Sequence, residues 1–173
     1  MKYINKYQKF KLIKEEEELS KGEILSFQLR DYNTKKTNLK NLILTNIDTE
    51  KDISKAYDDI VQENPFLQKE GQILKIKADI QKTEDRLSNN KESINKLLDD
   101  IKLVDKLSDD TDKDNQKKNI EEQIKTKEED TSSIKNKIEE LEEQEKKIEE
   151  ELSNMIKEKK AELVEIQKSP FNT

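Results

Sequence analysis

From Phe66 onward, apolar residues return every seven positions. Phe66, Ile73, Ile80, Leu87, Ile94 and Ile101 form one ladder; Ile76, Thr83, Asn90, Leu97 and Val104 form a second, three residues behind. A sustained seven-residue period predicts a long helix with a seam buried against another helix. The pattern resumes after a polar gap, at Ile120, Ile124, Ile134, Ile138, Leu141, Ile148, Leu152, Met155 and Ile166. Polar residues fill Lys127, Thr131, Glu145, Lys159 and Glu162 of that second seam. Two seamed helices, 66–107 and 117–168, joined by the polar loop 108–116, most simply fold back as an antiparallel coiled-coil hairpin. Mirroring them about residue 112 sets Val104 beside Ile120, Ile101 beside Ile124, Leu87 beside Ile138 and Ile76 beside Ile148. Thr83, Asn90, Lys127 and Thr131 weaken their layers but pin the register. Ser169-Pro170 stops the second helix and leaves 169–173 as a tail.

The pattern is different before residue 66. Seven of the eight aromatics (Tyr3, Tyr7, Phe10, Phe27, Tyr32, Tyr57 and Phe66) lie at or before it, enough apolar area for a small packed head over 1–65. Three or four short helices are predicted there. Gly22 reads as a break or bend, and the polar run 33–38 as an interruption. Leu25, Phe27 and Leu29 alternate like a strand without a partner. Asp48 is the expected cap of a helix carrying Ile53, Tyr57, Ile60 and Val61 on one face. Asn64-Pro65 reads as the start of the long helix, an N-cap followed by proline in the first turn. The expected fold is all-α: a long antiparallel coiled-coil helical hairpin with a small N-terminal helical head and Phe66 packed at the base of the arm.

Composition narrows this further. Of 173 residues, 30% are hydrophobic and 43% charged, too few for an ordinary globular core but enough for helices with one narrow apolar stripe. Cysteine and histidine are absent, which excludes disulfides, thiolate or imidazole catalysis and the usual zinc sites. Two glycines leave no phosphate-cradling loop, so neither an enzyme nor a cofactor is expected. A net charge of −6, with Arg30 and Arg86 the only arginines, argues against nucleic acid as a partner. No apolar run is long enough to span a membrane and no secretory signal is read, so the cytoplasm, or a particle assembled there, is the expected location.

Two stretches carry candidate chemistry. Asp110, Asp112, Asp114 and Glu121 match positions 1, 3, 5 and 12 of the calcium loop D-x-[DN]-x-[DN]-G-x5-E. Asn115 replaces the glycine, Lys117 stands where an apolar residue joins paired loops, and there is no second loop. The favoured alternative is an acidic tip whose aspartates cap the second helix, so no metal is expected. Residues 1–14 hold five lysines and no acid, leaving about −11 on the remainder. A basic helix with Tyr3, Tyr7 and Phe10 at i, i+4 and i+7 suits partner docking or packing within the chain; Lys11 and Lys14 interrupt it as a membrane anchor. The glutamate runs at 15–18 and 139–151 read as solvated helix faces. Together these features point to a non-enzymatic structural or assembly protein, oligomeric and of scaffold or virion type. The alternative is a coiled-coil adaptor or chaperone-like binding module, and a calcium-responsive module comes third.

Overall fold

In the computed structural model four helices follow one another: α1 (Lys6–Thr45), α2 (Ser54–Val61), α3 (Pro65–Asp105) and α4 (Thr111–Gln167). The described residues are 6–106 and 111–168 for the backbone, and 20–106 and 112–168 for side chains. Tyr3, Asp110 and the Ser169-Pro170 stop lie outside them, as do the side chains of Tyr7 and Phe10. No strand occurs among the described residues, so the chain is all-α. It divides into two compact units, 1–75 with 146–173, and 76–145.

The several short helices expected before residue 48 are one helix of 40 residues. Gly22 does not break α1. A β-carbon there would lie 3.1 Å from Ile166 Cγ2 and 4.0 Å from Leu163 Cδ1, so the missing side chain lets α1 approach α4 closely. That close approach offsets the ~1 kcal/mol glycine costs inside a helix. The polar run 33–38 does not interrupt α1 either, because it is largely exposed. Thr34 Oγ1 donates to the Arg30 carbonyl at 2.9 Å, and Lys35 pairs with Asp31 at 3.0 Å one turn away. The strand-like alternation at Leu25, Phe27 and Leu29 is helical too: Leu25 and Leu29 point inward, one turn apart, and Phe27 outward.

α2 begins later than Asp48 suggests. The Asp52 carboxylate, not that of Asp48, accepts the Ser54 N–H at 2.9 Å; hydrogen bonding from the Ser54 side chain first, and from this N–H second, holds the Asp52 carboxyl below its usual range. Ile53, Tyr57 and Ile60 are half-buried and Val61 is buried, as the apolar face requires. The chain turns at Gln62, whose φ of 47° lies in the left-handed region. Asn64 then caps α3 as expected. Its Oδ1 accepts from the N–H groups of Phe66 and Leu67, at 3.0 and 3.4 Å. The same amide donates through Nδ2 to the Gln28 carbonyl of α1 at 2.8 Å, so one buried side chain both starts α3 and ties it to α1. α2 packs on α1. It also lies against α3 at Gly71, where a β-carbon would be 2.1 Å from the Tyr57 hydroxyl; Lys75 Nζ stands 4.0 Å from the centre of the Tyr57 ring.

The core of this first unit joins α1, the start of α3 and the end of α4. Leu25, Leu29, Phe66, Ile73 and Leu152 form it, with Tyr32, Ile148, Met155, Ile156 and Leu163 packed around them. Phe66 is fully buried, and its ring lies 6.1 Å from that of Tyr32 at 55°. Tyr32 donates to Glu70 Oε2 at 3.1 Å. Burial first, then the Glu70 charge and hydrogen bond, pushes the Tyr32 hydroxyl well above its usual range; burial and the Asp58 charge push Tyr57 up as well. Folding therefore favours the neutral phenols. Their contribution is complete below the unfolded value of about 10 and is lost as pH rises beyond it, by at most ~1.4 kcal/mol per pH unit for each ring. In Y32F the alkaline loss should be shallower than in the wild type. Urea melts at neutral pH and between about pH 9.5 and 11 would measure the difference.

The second unit, 76–145, pairs the rest of α3 with the start of α4. Asn90 lies opposite Thr131, Lys77 pairs with Glu145 at 3.6 Å and Lys117 with Asp105 at 3.2 Å. These contacts run antiparallel, as the ladders predict, but centre the hairpin near Thr111. The shift sets Ile101 level with Ile120, not Ile124, and Leu87 level with Ile134, not Ile138. Its physical origin is the turn. α4 starts at Thr111, well inside the loop expected at 108–116, so the connection is shorter than the run of polar residues.

Candidate interaction surfaces

The coiled-coil seam is the first surface. Along α3, Phe66, Ile73, Ile80, Thr83 and Val104 are buried, while Ile76, Leu87, Asn90, Ile94, Leu97 and Ile101 are half-buried. Along α4, Ile124, Ile134, Leu141 and Leu152 are buried, with Ile120, Ile138, Ile148, Met155 and Ile166 half-buried. Of the polar seam positions Thr83 is buried and the others are half-buried, and several are paired. Thr83 Oγ1 donates to the Asp79 carbonyl of its own helix at 2.7 Å. Asn90 Nδ2 donates across to the Lys127 carbonyl at 2.7 Å and to Thr131 Oγ1 at 2.6 Å. Lys159 and Glu162 pair at 3.0 Å. That contact, with a further one from Lys21 of α1 at 3.5 Å, holds the Glu162 carboxyl below its usual range.

Asn90 sets the register at the expense of apolar contact. N90L should leave nothing unsatisfied, because Thr131 Oγ1 also donates to the Lys127 carbonyl at 2.9 Å. The variant should therefore melt higher, by about 1 kcal/mol in stability, and lose uniqueness of pairing. Thermal melts read the first effect. Cysteine cross-linking between shifted layers, in a chain with no native thiol, reads the second.

Asp110, the first residue of the calcium-loop spacing, lies outside the described residues. Asp112, Asp114 and Glu121 lie on α4, whose helical backbone does not wrap a cation as the calcium loop does. Asp112 and Asp114 occupy its first turn, where the helix dipole favours carboxylates. Lysines, not acids, close the end of α3: Lys113 Nζ donates to the Asp105 carbonyl at 3.1 Å and Lys117 reaches the Asp105 carboxylate. Among the described residues no three acidic side chains converge to hold a metal ion.

The second surface is one the heptad reading does not reveal. On α1, Ile24 is 55% and Phe27 60% exposed, on the side opposite Leu25 and Leu29. They border a groove of about 320 Å³ beside Asn64, edged by Glu23, Asp31 and Glu63. Its sequence signal is the i, i+3 apolar pair displaced from the inward stripe. Leu98 and Leu103 of α3 and Val164 of α4 are also exposed. Among the described residues no helix is long and apolar enough to cross a membrane. No family model matches the chain, and neither a curated protein nor a solved structure matches it.

Proposed function

We propose that this chain is a non-enzymatic assembly protein that works through helix–helix contacts and self-association, as a scaffold-type component of a larger structure in the cytoplasm or in a particle assembled there. The reading is carried by the seams. Every heptad position along α3 and α4, polar ones included, is buried or half-buried, so contact between helices is where the apolar residues are used. An adaptor is the second reading. Leu103, 61% exposed near the end of α3, favours it by offering a client the apolar side chain that the loop 108–116 lacks. Light scattering over a concentration series, with circular dichroism alongside, separates the two. A highly helical oligomer that forms with rising concentration supports assembly, and a compact monomer throughout supports the adaptor.

A further inference from the structure

We infer that the groove at Ile24 and Phe27 takes the basic aromatic segment, residues 1–14, of a second copy of this chain; the inference rests on the self-assembly reading above. Three observations carry it. The groove joins two exposed apolar side chains to the exposed carboxylates of Glu23 and Glu63, with Asp31, already paired with Lys35, along its edge. The segment has the complementary chemistry, five lysines without an acid and aromatics at Tyr3, Tyr7 and Phe10. The segment of the same chain is out of reach, because α1 is unbroken from Lys6 to Thr45 and its rise holds Phe10 about 21 Å from Ile24.

Two antiparallel α1 helices related by a twofold axis at Glu17 set the second copy's Phe10 level with Ile24 and its Tyr7 level with Phe27. The second copy's Lys11 comes level with Glu23. The axis repeats each contact, giving a closed dimer. Glu17 meets its own counterpart at the axis and Glu16 comes level with Glu18 of the other helix; Lys14 and Lys21, one turn away, offset part of this like charge.

Sedimentation equilibrium on the full chain tests this with F27K, E23K and the double variant E23K/K11E. Phe27 and Glu23 are exposed, so F27K and E23K should keep the helicity of the wild type, and circular dichroism checks this for all three variants. The wild type should form a reversible dimer. F27K should weaken it about tenfold or more, E23K should weaken it, and K11E added to E23K should restore it. If F27K and E23K associate as tightly as the wild type, the groove is not the docking surface, while the assembly reading stands. Loss in F27K without restoration in E23K/K11E overturns residues 1–14 as the occupant. A wild type that stays monomeric to about 1 mM overturns both readings and leaves the groove to a foreign partner.

Discussion

F66A should lower the stability of the first unit by about 3–5 kcal/mol, the largest effect of any single truncation proposed for this chain. Phe66 is fully buried, and the side chains around it come from three helices: Leu25 and Leu29 of α1, Ile73 of α3 and Leu152 of α4. A cavity there cannot close without moving all three, and it also removes the ring contact with Tyr32. Folded domains are stable by only ~5–15 kcal/mol, so the loss is a large fraction of the total. Because the Asn90–Thr131 layer belongs to the other compact unit, the two units should respond separately. Tyrosine fluorescence, whose reporters Tyr32 and Tyr57 lie in the first unit, should show an earlier transition in F66A. Coincident wild-type and F66A transitions would show that Phe66 does not hold the core.

N64D should be as damaging at neutral pH as N64A, despite keeping a good capping oxygen. Alanine removes the cap, a loss of ~0.5–2 kcal/mol, together with the donor to the Gln28 carbonyl. Aspartate still accepts from Phe66 and Leu67, and its charge suits a helix N-terminus. It replaces the amide donor, however, with an oxygen facing the Gln28 carbonyl at 2.8 Å and the Asp31 carboxylate at 3.5 Å, in a buried position. The expected cost is about 3 kcal/mol. The two variants separate with pH. The new carboxyl is favoured protonated, when it can donate again, so its folded pKa is raised. N64D should therefore regain stability as pH falls through that raised value, and N64A should not. Denaturant melts at about pH 4.5 and 7 decide between them.

How far the fold was legible follows from the periods involved. The α3 and α4 ladders could be read because a seven-residue repeat over many turns has no other common structural meaning. Their polar steps at Asn90 and Thr131 were legible too, since a polar pair in an apolar seam must find a partner across it. The head was misread where two signals overlapped. Leu25 and Leu29 belong to an inward stripe with Tyr32, Leu39 and Ile43 at helical spacing. Phe27, between them on the outer face, made the same residues resemble a strand. Gly22 carried the information that a helix passes close by, but a lone glycine signals a break equally well until Ile166 is in view. At the tip, the acidic spacing of a calcium loop and the acidic first turn of a helix share their aspartates, and only the backbone tells them apart. The i, i+3 spacing of Ile24 and Phe27 sets them off the inward stripe, but their exposure depends on which side of α1 the other helices take.

The lysines that close the end of α3 give the hairpin a salt-sensitive end. Lys113 and Lys117 reach Asp105 through ion–dipole and ionic contacts at partly exposed positions, and such contacts are screened over about 8 Å at physiological ionic strength and less at higher salt. The Asn90 layer is held by short neutral hydrogen bonds between part-buried groups, which salt does not screen. Raising the salt should therefore speed amide hydrogen exchange around Asp105 and Lys117 while leaving the amides around Asn90 slow. The hairpin would then open from its turn like a zip with a stop partway along, and ionic strength would set how often the first few turns are undone.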